Sequence, residues 1–248
     1  MKWFSLGSLF SLLVFIFPLG LMAENYLYEA DALYDQGGIE NYKRSIDLYL
    51  KALEANPNDY EANWKCARAH MGYAEVARKE KAEGWKDICA KYGKEGMKYA
   101  QKAIEQGPNK PEGYYYYGLN VGIYSSGVSL LTALKEGLKD KAQSSFERAY
   151  ESDKMYDDAG PILALGRFWA IIPWPFKDKQ KALRYYREYQ ATEYFAKGAK
   201  GKIYLAELLL KLDRKENKAE AKALLEKVAQ SDDKYFSDRA NSLLAKIN

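Results

Sequence analysis

Small and bulky apolar residues recur at helical spacing in five stretches of the chain. In each stretch a small residue comes first, a bulky residue usually follows four positions later, and a small or apolar residue follows seven positions after the first. Positions with this spacing lie on one face of an α-helix. The sequence therefore predicts five amphipathic helices, within residues 45–57, 96–108, 142–154, 182–189 and 221–228.

A second apolar stretch precedes each of these helices, most clearly at residues 111–123, 161–169 and 203–212. These helix pairs resemble the tetratricopeptide repeat (TPR), a helix–turn–helix unit of about 34 residues. The third pair matches best, because Gly118 and Ala142 are small where two helices approach each other. We predict an all-α protein, a right-handed α-α superhelix of about five TPR-like units. A C-terminal capping helix completes it, with Leu243, Leu244 and Ile247 facing inward.

Residues 114–117 are four consecutive tyrosines. In the register of the repeat, Tyr114 and Tyr117 fall at packing positions, so we expect them to anchor the fold. Tyr115 falls at a position that faces the concave groove, and Tyr116 falls near the edge of that groove. Tyrosine offers a large contact area with little conformational entropy to lose. The pattern therefore leaves two roles open for Tyr115, a binding role and a structural role.

The same register identifies further positions that face the groove, and their side chains are a mixture of charged and apolar groups. They do not reproduce the Lys–Asn pair with which some repeat proteins bind a C-terminal carboxylate, because Ala69 stands at the position of the Asn. Ile203 is expected to face the groove as well. The predicted binding residues are Lys65, Tyr115, Leu119, Leu163, Arg167 and Glu207.

The N-terminus has the pattern of a secretory signal peptide. Lys2 gives it a positive start, residues 3–22 carry no charge, and Ala23 precedes a polar sequence. We predict a signal peptide over residues 1–23, cleaved after Ala23, and a single soluble TPR domain over residues 24–248, located in the periplasm or otherwise exported. The alternative is an uncleaved anchor, because about 20 apolar residues can span a bilayer as a helix. Membrane association is expected only in that case.

Three segments depart from the plain repeat, at residues 73–85, 122–137 and 171–176. They combine large apolar side chains with few charges. One interpretation is that they cover the ends and the interior of the superhelix. The other is that they line a pocket or form a surface for a partner, since a large exposed apolar area needs an explanation. The side chains concerned are Trp85, Leu130, Leu131, Trp174 and Phe176.

Few residues could carry chemistry, and each has a structural explanation. His70 follows Cys66 by four residues, a spacing that could begin a metal site, but no third ligand is near it in the sequence. Cys66 and Cys89 are expected to be free and buried, because a predicted helix over residues 63–83 holds them about 20 Å apart. Asp158 is expected to cap the helix that follows it. We predict no enzymatic activity, no metal and no cofactor.

The net charge of the chain is +4, and residues of both signs are mixed along it. Proteins that bind along the backbone of a nucleic acid usually carry a cluster of basic residues. The sequence contains none, so we expect no nucleic-acid partner.

The order of three stretches is similar to that in one exported family of repeat proteins. The stretches are YYYYGLNVG (residues 114–122), YDDAGPILALGRFWAIIP (156–173) and KDKQKALRYYREY (177–189). The family they resemble is the T component associated with tripartite ATP-independent periplasmic (TRAP) transporters, and the resemblance covers about residues 59–228. It implies a periplasmic solute-binding protein as partner, and a ligand channel through a homo-oligomer. The family has no catalytic motif.

We therefore expect a non-catalytic scaffold for protein–protein interaction, an accessory component that partners the solute-binding protein of a TRAP transporter. The alternative is a carrier of a small apolar or lipid-like ligand in an aromatic-lined cavity.

Overall fold

The computed structural model describes residues 19–212 and 215–247, and these residues form thirteen helices and no strand. The helices are α1 (Leu19–Gln36), α2 (Ile39–Ala55), α3 (Tyr60–Glu80), α4 (Trp85–Gln106), α5 (Pro111–Gly127), α6 (Leu130–Lys135), α7 (Leu138–Asp153), α8 (Tyr156–Ile171), α9 (Lys179–Gln190), α10 (Glu193–Lys197), α11 (Ala199–Leu212), α12 (Lys215–Ala229) and α13 (Lys234–Leu244).

Ten of these helices form five antiparallel pairs, and each pair packs on the next. The pairs are α1/α2, α3/α4, α5/α7, α8/α9 and α11/α12, and α13 packs on the last pair. The short helix α6 lies between the two helices of the third pair, and α10 lies between the fourth and fifth pairs. The predicted all-α superhelix of five TPR-like units with a C-terminal capping helix is confirmed.

Local signals in the sequence set the ends of several helices. The carboxylate of Asp59 accepts a hydrogen bond from the Ala62 N–H at 2.8 Å and so caps α3. Asp178 and Asp233 cap α9 and α13 in the same way. Pro111 occupies the first turn of α5, where the N–H that proline lacks would have no partner in the helix. Because a cap involves only neighbouring residues, such boundaries follow from the sequence alone.

Gly118 lies where α5 packs against α7. A Cβ atom at this position would lie 2.5 Å from Cε1 of Phe146, closer than two non-bonded carbon atoms can approach. The missing side chain therefore lets the Phe146 ring pack against the backbone of α5. Ala142 and Ala149 are buried on the same face of α7. The small residues of the third unit therefore lie at the helix contact where they were predicted.

Two further predictions about the core are confirmed. Cys66 in α3 and Cys89 in α4 are both buried, and neither forms a disulfide. At the other end of the molecule, Leu243, Leu244 and Ile247 pack against the largest cluster of buried residues. The C-terminal segment therefore covers apolar surface that the fifth unit would otherwise expose.

The predicted signal peptide, residues 1–23, lies mostly outside the described residues. Residues 19–23 form the first turns of α1, which continues without a break to Gln36. Within residues 19–212 and 215–247, every helix is too short or too polar to cross a lipid bilayer. Cleavage after Ala23 stays a prediction.

Candidate binding surface

The first helix of each pair faces the axis of the superhelix, and two contacts show how tightly this side curves. Lys79 Nζ in α3 lies 5.3 Å from the ring centre of Tyr235 and 5.5 Å from that of Phe236, both in α13. Glu75 in α3 and Lys200 in α11 attract each other electrostatically. The inner surface, formed by α1, α3, α5, α8, α11 and α13, is therefore concave and brings distant units face to face.

The four tyrosines differ from the prediction in how deeply they are buried. Tyr115 and Tyr116 are buried, whereas Tyr114 and Tyr117 are half-buried. The Tyr114 hydroxyl donates to the carbonyl oxygen of Pro108 at 3.1 Å, at the end of the unit away from the core. Tyr114 and Tyr117 pack on the buried cluster around Tyr115 and Tyr116, as expected of anchors, but they are less deeply buried than that pair.

Neighbouring units explain the burial of Tyr115 and Tyr116. The Tyr115 ring lies edge-on to Tyr156 with ring centres 5.6 Å apart, and its hydroxyl occupies space that a side chain on Gly160 would fill. Tyr116 stacks on Trp64, with ring centres 5.8 Å apart and 5° between the ring planes. The prediction that Tyr115 lines an open groove is wrong, because units two and four cover it. It forms part of the floor beneath the inner surface.

The other predicted binding residues lie at different depths. Lys65, Arg167 and Glu207 are partly exposed and form ion pairs. Leu119 is half-buried, whereas Leu163 and Ile203 are buried. A partner on the inner surface could therefore touch the three charged side chains and Leu119 directly. Their role in binding stays a prediction.

Cations and aromatic rings meet at the N-terminal end of the inner surface. Lys65 Nζ lies 2.5 Å from a carboxylate oxygen of Asp31 and 2.5 Å from one of Glu61. The guanidinium carbon of Arg68 lies 3.9 Å from the ring centre of Tyr34. Arg68 Nε is buried and has no hydrogen-bond partner among the described residues. This end of the surface therefore combines an ion-paired lysine with a guanidinium held on an aromatic face.

Asp157 and Lys200 lie at the centre of the inner surface. Both side chains touch solvent, but the surrounding helices enclose them on several sides. This enclosure raises the pKa of Asp157, although the Tyr115 hydroxyl, which donates to its carboxylate, opposes the rise. Enclosure alone would lower the pKa of Lys200, but Glu75 above all, and Asp157, raise it. Both groups of this central pair are accessible to a ligand.

A left-handed turn carries Asp157 to this place. Asp157, Asp158 and Ala159 have φ angles of 49°, 58° and 60°, in the region that costs an L-residue of order 1–3 kcal/mol when it is held there. The prediction that Asp158 caps the following helix is wrong, because a capping residue normally has an extended backbone. Backbone strain of this kind is common at functional sites, and here it coincides with the centre of the inner surface.

Glu207 joins three helices at the C-terminal end of the inner surface. Arg167 Nη1 donates to one of its carboxylate oxygens at 3.0 Å, and Arg239 pairs with the other oxygen. The guanidinium of Arg167 also lies 4.3 Å over the ring centre of Tyr204. The Glu207 side chain is 12% exposed. The two arginines neutralise the carboxylate of Glu207, which would be costly to enclose without a partner. Because the three side chains come from different helices, the cluster fixes α8, α11 and α13 relative to one another.

The repeat register did not predict Arg68, Lys200 or Arg239 at the inner surface, and it assigned Asp157 to no site. Arg68 had a signal, since it follows the predicted binding residue Lys65 by three positions on one helix. Lys200 and Arg239 had none, because they approach the other charges only through the curvature that brings α11 and α13 to α3.

His70 and the two cysteines occupy the core. Nδ1 of His70 lies 2.8 Å from the Cys66 carbonyl oxygen, and its ring lies between those of Tyr92 and Tyr99. Burial lowers the pKa of His70 to about 4, so the ring is neutral at pH 7 and Nδ1–H donates to the carbonyl. Burial raises the pKa of the Cys66 and Cys89 thiols. These groups are therefore poor candidates for a catalytic base or nucleophile.

The inserted segments divide into two kinds. Trp85 is half-buried and packs on the cluster around Cys89, so it covers the core as one interpretation proposed. Leu131 and Trp174 are 76% and 88% exposed, and Leu130 and Phe176 are exposed as well. For these four side chains the interpretation that they cover the superhelix is wrong, because they project into solvent.

Two solved TPR proteins have similar structures. TTC0263, a thermophilic TPR protein of Thermus thermophilus, matches with a TM-score of 0.64 and 21% sequence identity, over 90% of this chain and 99% of that protein. The MamA protein matches with a TM-score of 0.53 and 18% identity, over 86% of this chain and 97% of its own. Likeness at these identities shows the TPR-like fold alone. No curated protein sequence matches the chain significantly.

The model of one protein family matches residues 26–169, more than half of the chain. The matched region begins in α1 and ends near the end of α8. It thus contains the left-handed turn at Asp157, and it ends before Lys200 and Arg239. On this match the chain belongs to the family described as regulator of microtubule dynamics protein 1-3.

Proposed function

We propose that this protein is a non-catalytic scaffold that binds a segment of a partner protein along its inner surface. One observation carries the proposal, which is that charged groups of both signs are arrayed along one continuous concave surface. Lys65 and Arg68 lie at one end, Asp157 and Lys200 at the centre, and Arg167 at the other end. An extended polypeptide carries donors, acceptors and charges along its length, so it can engage all three places at once.

The proposal extends to the location and identity of the partner. An exported protein is expected from the apolar segment before Ala23, and a solute-binding protein of a TRAP transporter is expected from the resemblance over residues 59–228. The name of the matched family refers to microtubule dynamics instead. The identity of the partner therefore rests on the resemblance alone, and the use of the inner surface rests on its geometry.

The absence of catalysis is part of the same proposal. It is supported by the neutral, buried state of His70 and of the Cys66 and Cys89 thiols. The alternative function, a carrier of an apolar ligand, would need an aromatic-lined cavity. A cleft of ≈ 450 Å³ lies between α1 and α2, but Tyr28 is the single aromatic residue in its lining, and that side chain is 75% exposed. We therefore favour the scaffold.

Site-specific photo-crosslinking tests the scaffold. p-Benzoylphenylalanine replaces Leu119 or Lys200 on the inner surface, and Gln101, an exposed residue of the outer helix α4, serves as the control position. We expect both inner positions to crosslink to the same protein and the control position to give no such product. Mass spectrometry of the product should identify an extracytoplasmic solute-binding protein, and N-terminal sequencing of the scaffold should begin at Glu24.

Each part of the proposal can fail separately. Equal crosslinking from all three positions would show that the inner surface is not the binding surface. A specific product of another class would remove the TRAP assignment and keep the scaffold. If the inner positions gave no protein product, and native mass spectrometry found a co-purified small molecule, the carrier would replace the scaffold.

A further inference from the structure

One edge of the superhelix carries most of the exposed apolar side chains. The connections between the first and second helices of the units all emerge at this edge, because the units are antiparallel pairs stacked in one direction. In the third unit the connection contains α6, and in the fourth it is residues 172–178. We call this part of the molecule the insert edge. Its exposed apolar side chains are Leu130, Leu131, Leu134, Ile171, Trp174 and Phe176.

The two connections form one patch. Lys139 Nζ, in the first turn of α7, lies 5.3 Å from the ring centre of Phe176. Since α6 directly precedes α7, the connection of the fourth unit lies beside that of the third. Of the nine large hydrophobic side chains exposed in the described residues, six belong to this edge. A patch of this kind on a protein surface usually marks a binding site.

Lysines surround the patch. Residues 130–141 and 171–181 contain six lysines and three acidic residues, a net charge of +3. Five of these lysines are exposed, namely Lys135, Lys141, Lys177, Lys179 and Lys181.

The three acidic residues are all engaged within the protein. Glu136 accepts a hydrogen bond from the Tyr124 hydroxyl, Asp140 pairs with Lys139, and Asp178 caps α9. The net charge of +3 makes the field outside the patch positive.

We propose that the insert edge docks on the surface of a membrane that contains anionic lipids. Trp174, Phe176 and the leucines of α6 enter the boundary between head groups and acyl chains, and the lysines contact the lipid phosphates. Exposed Trp, Phe and Leu ringed by Lys is the composition of an interfacial membrane-binding surface. Cores of protein–protein interfaces, by contrast, are depleted in lysine. This docking is independent of residues 1–23.

Binding of the full chain to lipid vesicles tests the proposal. Vesicles of phosphatidylcholine alone are compared with vesicles that also contain phosphatidylglycerol, in a sedimentation assay. Residues 1–23 are the same in every variant, so differences between variants report the insert edge. The parent protein should prefer the anionic vesicles, and added salt should weaken its binding.

Two kinds of variant probe the two parts of the surface. The double variant Leu131→Ser/Trp174→Ser should bind anionic vesicles about tenfold more weakly, because two large apolar side chains no longer leave water. Lys135→Glu and Lys177→Glu should each weaken binding about fivefold or more, because each replaces a cation near the membrane surface by an anion. Tyr28→Ser removes an exposed aromatic residue elsewhere and should leave binding unchanged. Circular dichroism checks that each variant is folded.

Fluorescence gives a direct view of Trp174. Vesicles with brominated acyl chains should quench the parent protein more than the Trp174→Phe variant, since only a membrane-inserted indole meets the bromine atoms. The proposal is overturned if the double variant and the lysine variants bind like the parent. It is also overturned if vesicle binding is absent and the double variant instead breaks a homo-oligomer, which would assign the insert edge to protein contact.

Discussion

The inner surface and the insert edge both combine aromatic rings with cations, but they differ in how far the protein covers the aromatic rings. On the inner surface Arg68 lies on Tyr34, Arg167 lies on Tyr204, and Glu207 joins two arginines. At the insert edge Trp174 is 88% exposed. Composition alone therefore does not distinguish a packed surface from a free one.

The difference follows from how the repeats stack. On the inner side, the first helix of each unit contacts the neighbouring units, so an aromatic ring meets side chains from both directions. Tyr115 of the third unit is enclosed in this way by Tyr156 of the fourth. A connection between two helices has no neighbour on its outer side. Apolar residues inserted there stay in water unless something outside the protein covers them.

The largest expected effect tests whether the aromatic residues beneath the inner surface are enclosed. Tyr115→Ala should lower the free energy of unfolding by about 3–5 kcal/mol, because it leaves a cavity beside Gly160 and Tyr156. Tyr28→Ala, at an exposed position, should change it by less than about 0.5 kcal/mol. Chemical denaturation of both variants measures the difference. Similar values for the two would mean that Tyr115 is not enclosed.

The next-largest expected effect is a pH dependence of stability, which comes from a buried histidine in the packed core. Burial lowers the pKa of His70 from 6.5 to about 4, so the folded state resists protonation. As the pH falls from 6.5 to 4, the unfolded chain binds a proton that the folded protein does not. This costs about 3 kcal/mol of stability, which is fully present above pH 6.5.

Denaturation curves between these pH values check the effect in the parent protein and in His70→Asn. Asparagine can keep a donor to the Cys66 carbonyl but does not titrate, so the variant should lose less stability on acidification. The chain has one histidine, so the difference reports His70 alone. Parallel pH profiles of the two proteins would contradict the buried, neutral state of the ring.

A pair of glycines in α5 tests the packing of the two helices within the third unit, with a smaller expected effect. Gly118→Ala should destabilise the protein by about 1–3 kcal/mol, because the added methyl group meets the Phe146 ring. Gly122 lies one turn further along, with no atom within 4 Å of its would-be Cβ. Gly122→Ala should therefore stabilise the helix by about 0.5–1 kcal/mol. Opposite shifts of the melting temperature are expected, and shifts of one sign would contradict the register.

The smallest expected effect tests the insert edge itself. Trp174→Ala should change the free energy of unfolding by less than about 0.5 kcal/mol, since its side chain is in water. Trp169, five residues earlier in α8, is buried at 8% exposure. Trp169→Ala should cost about 3–5 kcal/mol. A large loss from Trp174→Ala would show that the connection packs on the core and would end the contrast between the two surfaces.

The repeats could be predicted because their signal is local. Gly118, Ala142 and Phe146 stand at fixed spacings on two successive helices, and short connections force successive helices to pack together. The free state of Cys66 and Cys89 followed from similar local reasoning, because the length of one helix holds them too far apart for a disulfide. None of these conclusions needed knowledge of a distant part of the chain.

The candidate site could be predicted only in part. The register placed Lys65, Arg167 and Glu207 where the structure has them, at the inner surface. It failed for Tyr115, because burial there depends on Gly160 and Tyr156 in the next unit. It failed for Asp158, because the left-handed turn does not follow from the residue types, which favour an ordinary helix cap.

The sequence by itself determined the helix pairs, their order and the small residues that let them pack, because these depend on contacts between neighbouring elements. Only the tertiary structure decided which aromatic residues are enclosed, which charges face one another and which inserts are exposed. The reason is the curvature of the superhelix. It brings Glu75 towards Lys200 and Lys79 to Tyr235, across more than a hundred residues, while it leaves Trp174 in solvent.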